Sequence, residues 1–368
     1  PLTQSSLTIP PWSKGINAEI EQKWEEILEF MDDENDYEIK RKLIKALFKN
    51  TLSKGRYNLD DLMNCIESRI RHTEKSSNIY SEIKLLEEEY KALCVPYEGE
   101  VDDKFKTYTS DVPEDFKEYI DDVVLVKRLR EVLALKGFRR IMPGSMSKEV
   151  EVTPDGNAKD YTPLSSEKLN WLPAVEMIGE GIFIRFSENI INEWEKRIGN
   201  RYEHMSKNMA SGINKRDDLS PRYVMLHTFA HLLIRQLTIK CGYSSSALKE
   251  RIYSTYNDSE IKMSGVLIYT SSSDSDGSLG GLVREGEADT LNDTIRNLLQ
   301  EASWCASDPM CIDSMQQGYN SLNYASCHAC ALLPETSCES RNSFLDRVAV
   351  VGKMEERSLG FFGNIFEE

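Results

Sequence analysis

The sequence contains no apolar run approaching the ~18 residues that a membrane-spanning helix needs, so none is expected and no membrane partner is read. Its opening stretch, PLTQSSLTIPPWSKG, has no basic n-region followed by an apolar h-region, so it does not read as a secretory leader. No glycine-rich loop ends in Gly-Lys-Ser/Thr, no serine sits in a nucleophile elbow, and no nuclease carboxylate set stands out. A self-sufficient ATPase is thereby excluded. Basic charge is also in short supply: 45 Lys and Arg face 61 Asp and Glu, for a net charge of −16. Duplex phosphates would repel that mean field, which argues against a general nucleic-acid binder acting alone. The first residue is Pro1 rather than Met, which reads as a processed product or a fragment.

What is present is ample for a folded protein. The 368 residues, 40% hydrophobic, suffice for two domains or for one large domain with an appendage. Five of the eight cysteines fall between Cys305 and Cys338. Such clustering in a large chain points to a metal in a reducing, cytoplasmic compartment rather than to a disulfide framework.

The N-terminal third carries helical periodicity. In INAEIEQKWEEILEFM, residues Ile16, Ile20, Trp24, Ile27, Leu28 and Met31 share a face. YEIKRKLIKALFKNTL repeats the pattern with Ile39, Leu43, Leu47 and Phe48. NLDDLMNCIESRIRH, capped by Asn58, and IYSEIKLLEEEYKALC, stopped by Pro96, complete four expected helices of a bundle. The middle is mixed. WLPAVEMIGEGIFIRFS reads as two strands joined by a turn at Gly179–Gly181, and Ser187 is placed to cap the next helix, ENIINEWEKRI. In the last third, RYVMLHTFAHLLIRQLTIK is an apolar helix ended by Gly242, and SGVLIYT is a buried strand. TLNDTIRNLLQEASW is a helix with Leu291, Ile295, Leu298, Leu299 and Ala302 on one face.

The cysteines are spaced C-x5-C-x15-C-x2-C-x7-C, as Cys305, Cys311, Cys327, Cys330 and Cys338. The C-x2-C pair forms a knuckle that points two thiolates at one ion. Four thiolates in a tetrahedron suit Zn²⁺ and leave no open position for water, so the site is structural. One of the five is spare; the spacing favours Cys311, Cys327 and Cys330 with either Cys305 or Cys338. His328, inside the knuckle, is expected to point away. An iron–sulfur cluster would use the same ligands.

Three other features invite a chemical reading and a plainer one. His227 and His231 lie at i, i+4 in HTFAH, but Thr228 stands where a zinc protease carries its glutamate, and no third ligand is close by, although His204 is available. Histidines satisfied within the core are the favoured reading; a metal-dependent nuclease or hydrolase is the alternative. The loop SDSDGSLGGL lies between a strand and a helix, where phosphate can be cradled. A turn with Gly280 and Gly281 packed close to a neighbour is favoured over it. Residues 121–150 hold seven Lys or Arg against four Asp or Glu, a net +3. Lys127, Arg128, Arg130, Lys136, Arg139 and Arg140 are therefore a solvated face or a contact for nucleic acid or a partner, and a stand-alone DNA-binding module is a further alternative.

Taken together, LHTFAHLLIRQLTIKCGYSSSALKERIY, GVLIYTSSSDSDGSLGGLV, WCASDPMC and ASCHACALLPETSCESRNSFLDR resemble the cysteine-rich zinc-binding domain appended to MrfA-type DNA-repair helicases. They are most similar to its stand-alone form in the DrmB family of the bacterial DISARM anti-phage system. LREVLALKGFRRI and VEMIGEGIFIRF extend the resemblance upstream, to cover roughly residues 120–350. The resemblance implies a subunit without helicase motifs that works with a DrmA-like superfamily-2 helicase, engages DNA through the complex and uses its metal domain for structure and docking. It matches Cys305, Cys311, Cys327 and Cys330 to the family's cysteines, with Cys338 trailing. DrmB proteins are usually longer at the N-terminus, so a leading segment is expected to be absent here.

The expected fold is mixed α and β and helix-rich: an N-terminal helical region, then an α/β domain with a C-terminal four-cysteine zinc module. The expected divisions are a mainly helical region over 1–120, a mixed segment with the hairpin over 121–215, the zinc-binding helicase-associated domain over 216–350 and a tail over 351–368.

Overall fold

Strand formation dominates the centre of the chain. The run from Ile120 is rich in β-branched residues, and Val123, Val124 and Val126 are all buried. It forms one 19-residue strand with neighbours on both edges. The computed structural model describes residues 2–7, 20, 23–33, 37–49, 52, 59–60, 62–63, 66, 82–94, 105–138, 162–165, 171–210, 219–255, 261–270 and 280–366.

Among the described residues seven strands form one antiparallel sheet: β1 (Leu2–Leu7), β2 (Lys106–Ser110), β3 (Ile120–Phe138), β4 (Thr162–Pro163), β5 (Ala174–Phe186), β6 (Leu248–Ser254) and β7 (Ser264–Thr270). The order is β1-β3-β5-β7-β6, with β2 and β4 also paired to β3. The turn expected at Gly179–Gly181 does not exist. Residues 174–186 are one strand, running antiparallel to β3 with Gly179 opposite Leu129 and Gly181 opposite Val126. The two glycines mark an irregularity in that ladder rather than a reversal. A Cβ on Gly181 would stand 2.8 Å from the carbonyl of Ile268 on β7, so the strands can close up only around a glycine.

Among the described residues the helices are α1 (Trp24–Asp33), α2 (Tyr37–Leu47), α3 (Glu82–Cys94), α4 (Glu188–Ile198), α5 (Glu203–Ala210), α6 (Pro221–Cys241), α7 (Gly281–Glu285), α8 (Ala288–Ala302) and α9 (Arg347–Val351). Ser187 holds the N-cap position of α4, but its side chain makes no capping bond. The α6 helix has clear boundaries. Ser220 accepts from the Tyr223 N–H, Pro221 opens the first turn, and Gly242 closes the helix in the left-handed region at φ 69°. It is buried around nearly its whole circumference and packs against β6, β7, α8 and α9. The expected face of α8 is the buried one: Leu291, Ile295, Leu298, Leu299 and Ala302.

The chain divides into two units. One comprises Pro1–Thr8, Glu89–Glu98 and Lys104–Glu368; the other comprises Ile9–Glu88 and Gly99–Asp103. The first holds the sheet, α6 and every cysteine of the C-terminal window. The second has its own core of Ile20, Ile27, Ile44, Phe48, Leu62, Met63 and Ile66, which includes residues from three of the four expected helices. Asn58 and Pro96 lie outside the described residues.

Candidate metal centre

α8 delivers the chain to Cys305, and a tight loop carries it to Cys311. Asp308 shapes that loop: its carboxylate accepts from the Cys305 N–H at 2.8 Å and from the Ile312 N–H at 3.0 Å. The buried Arg347 of α9 donates to the same carboxylate at 2.7 Å and to the Ala302 carbonyl at 2.9 Å. The knuckle follows at Cys327 and Cys330. There the Cys327 N–H faces the Cys330 sulfur at 3.2 Å, while the Cys330 and Ala331 N–H groups return to the Cys327 carbonyl at 3.1 and 2.9 Å. His328 is exposed and is not among the clustered donors.

These loops bring four sulfurs together. Cys305 and Cys327 are 3.6 Å apart, Cys327 and Cys330 3.7 Å, and Cys311 and Cys330 3.8 Å. All four Sγ atoms lie within 4.8 Å of one another. Thiolates ~2.3 Å from one tetrahedral ion stand about 3.8 Å apart, so the spacing fits zinc. The donor set fits as well: four soft ligands, three of them buried, with no open position. The Cys330 thiol, hydrogen-bonded to Cys311, pulls Cys311 down to about 5 against the effect of burial. The same bond, together with burial, pushes Cys330 far up. Burial disfavours the Arg347 cation, but Asp308 and the nearby Cys330 and Cys311 outweigh it and raise its pKa, so a positive charge stands beside the cluster.

The structure separates Cys338 from these four. Its sulfur lies 3.2 Å from His227 Nε2, in a second buried group with His231 and Glu250. Both histidines are buried in the core, where His231 Nδ1 bonds the Ala331 carbonyl at 2.9 Å and His227 Nε2 lies 3.0 Å from Glu250. His204 is elsewhere, exposed and 3.2 Å from the Gln316 side chain. Sequence reasoning missed Glu250. The available signal was a carboxylate between Leu248 and Ile252 on a strand face directed at the apolar α6.

The other candidate features resolve differently. The described end of the glycine loop is occupied by the protein itself: Glu180 accepts from the Gly280 N–H at 2.6 Å, the Leu282 N–H at 2.8 Å and the Tyr243 hydroxyl at 3.1 Å. A Cβ on Gly281 would meet the Tyr243 oxygen at 2.8 Å, so a glycine packed against a neighbour is what stands there. Asp274 and Asp276 lie outside the described residues. Of the basic stretch, Lys127, Arg128 and Arg130 lie on β3. Lys127 sits over the Tyr108 ring at 4.1 Å, and Arg130 pairs with Glu176 at 2.8 Å. Arg139 and Arg140 lie outside the described residues.

Residues 229–331 match the family described as the MrfA Zn-binding domain. That span contains Cys305, Cys311, Cys327 and Cys330, and ends before Cys338. The chain is 41% identical over 292 residues to the DISARM protein DrmB of Bacillus paralicheniformis, a match covering 77% of this chain and 50% of that protein. It thus spans about half the length of the curated relative. Among solved structures, the helicase MrfA bound to DNA aligns over 60% of this chain and 23% of its own, at 10% identity and a TM-score of 0.26, which is too loose to place any residue. No helix among the described residues is long and apolar enough to cross a membrane. The chain is therefore similar to DrmB over most of its length, and its residues 229–331 match the MrfA Zn-binding domain.

Proposed function

We propose that this chain is a non-catalytic, zinc-binding subunit of a cytoplasmic anti-phage DISARM assembly, partnered with a DrmA-like superfamily-2 helicase and engaging DNA through that complex. The observation that carries the reading is the four-sulfur cluster inside the matched zinc-binding domain, on a chain similar to DrmB. Cys305, Cys311, Cys327 and Cys330 would hold the zinc, which supplies a cross-link rather than a reaction centre. The cross-link ties the end of α8 to the knuckle, while Arg347 and Asp308 hold the intervening loop from behind. The proposal assigns the motor to the partner; the sequence in hand carries no nucleotide-binding loop. Lys127, Arg128, Arg130, Arg139 and Arg140 would add a local positive surface for DNA or for the helicase within an otherwise acidic chain.

Co-expression with a DrmA-like helicase tests this. The proposal expects both chains to elute together through size exclusion at moderate salt, and the complex to bind DNA more tightly than either chain alone. A chain that elutes by itself and shows its own nuclease or hydrolase activity, lost on His231→Ala, overturns it.

A further inference from the structure

Beyond the four-sulfur cluster lies a second collection of donor side chains for which an apolar helix–strand interface gives no reason. His227 and His231 lie one turn apart on α6, with ring centroids 4.6 Å apart. β6 presents Glu250 to them, and the segment following the knuckle presents Cys338. His227 Nε2 is 3.0 Å from Glu250 Oε1 and 3.2 Å from Cys338 Sγ; His231 Nε2 is 3.5 Å from the same Oε1. The four donor atoms lie within 4.8 Å of one another, and all four residues are buried.

The tautomer of His231 shows what the group lacks. Its Nδ1 is 2.9 Å from the Ala331 carbonyl, which can only accept, so Nδ1 carries the proton. In the neutral ring, Nε2 is then a lone pair, and it has no hydrogen-bond partner among the described residues. It faces a carboxylate whose other oxygen, Oε2, also has none. Electron-rich atoms buried face to face are best accommodated by a positive centre between them. Lysine and arginine do not provide it, because none bonds Glu250 or Cys338 among the described residues. The adjacent Arg251 turns instead to Glu89 and Glu339, at 3.1 and 2.9 Å. A second proton on His231 is the other candidate, but a charge-assisted N–H···O bond closes to about 2.7–2.9 Å, and the separation here is 3.5 Å.

The separations suit an ion instead. With nitrogen and oxygen ~2.0–2.1 Å and sulfur ~2.3 Å from a tetrahedral centre, N–O edges are about 3.3 Å and N–S edges about 3.5 Å. The observed N–O edges of 3.0 and 3.5 Å bracket the first, and the N–S edge of 3.2 Å lies just below the second. An outer layer is also in place. Ala331 orients His231, the Asn342 N–H donates to the Cys338 sulfur at 3.2 Å, and the Glu339 N–H donates to Glu250 Oε1 at 3.3 Å.

We propose that His227, His231, Glu250 and Cys338 form a second metal centre, closed and structural, holding one borderline-soft divalent ion of the zinc class. Four protein donors fill its coordination, so it offers no position for a hydrolytic water. It pins α6 to β6 and to the segment after the knuckle. Through Ala331, next in sequence to Cys330, it shares a backbone residue with the environment of the first centre.

The test is zinc content by mass spectrometry on the purified full chain, together with X-ray absorption at the zinc edge. Two zinc ions per chain are expected. The average shell would hold about 2.5 sulfurs per zinc, from five sulfurs shared by two ions, and needs no variant to read. Glu250→Gln and His231→Ala should each lower the content from two ions to one, with the remaining shell rising to four sulfurs. One zinc per wild-type chain with a four-sulfur shell overturns the second centre while leaving the first intact. So do two ions that both persist in Glu250→Gln and His231→Ala.

Discussion

Arg347 Nη2 donates to Asp308 Oδ1 at 2.7 Å, with the arginine wholly buried and the aspartate holding the backbone of the loop that presents Cys305 and Cys311. The pair joins α9 to the metal loop across 39 residues of sequence. Removing one partner of a buried ion pair strands the other. Arg347→Met is therefore expected to lower stability by about 3–5 kcal/mol, read by urea unfolding of the zinc-loaded protein. Asp308→Asn keeps the shape but weakens the support behind the sulfurs. It should reduce zinc affinity by roughly 10–100-fold in competition with a chromophoric chelator. A change below twofold would mean that the loop holds its geometry without the pair.

The two cysteines left open by spacing, Cys305 and Cys338, separate in the structure. Cobalt exchanged for zinc distinguishes them, because sulfur-to-metal charge transfer scales with the number of thiolates bound. Cys305→Ser should diminish the intense four-thiolate band, whereas Cys338→Ser should leave it in place. The opposite pattern would put Cys338 in the knuckle site.

Glu180 closes the start of α7 by accepting from two backbone N–H groups. Glu180→Ala leaves the buried Leu282 N–H and the more exposed Gly280 N–H without their acceptor and should cost about 1–3 kcal/mol in urea unfolding. Because the carboxylate fills the position, inorganic phosphate should not stabilise the wild-type protein. A phosphate-dependent rise in the melting temperature of the wild-type protein would restore the phosphate-cradle reading.

If the basic stretch serves DNA within the complex, neutralising Arg139 and Arg140 together should weaken binding about equally for unrelated sequences. It should also shallow the salt dependence, by about 0.9 for each duplex phosphate that the protein no longer neutralises. Fluorescence anisotropy over a salt series reads both effects. An unchanged slope assigns those arginines to solvent or to the helicase.

The cysteine window was legible because coordination chemistry is local: C-x2-C and its neighbours needed only a short loop to converge. α6 was legible from its long apolar run and its closing glycine, and α8 from its amphipathic period. The strands were harder. In VEMIGEGIFIRF the glycines look like a turn, but Gly181 is there because β7 approaches too closely for any side chain. The strand LTQSSL has little alternation to mark it; it gains its order from pairing along β3. Glu250 was invisible for a different reason. Its partners lie 19, 23 and 88 residues away, and only the folding of β6 against α6 makes a lone glutamate in LKERIYS into a possible ligand.

The central claim is that Cys305, Cys311, Cys327 and Cys330 close around one zinc that holds the C-terminal module together. Its most direct measurement is zinc content and thermal unfolding of the wild-type chain beside Cys327→Ser. The account predicts stoichiometric zinc in the wild type, and in the variant a zinc content lower by one ion per chain with a lower melting temperature. A wild-type chain without stoichiometric zinc, or a Cys327→Ser chain with unchanged zinc content and melting temperature, would contradict it.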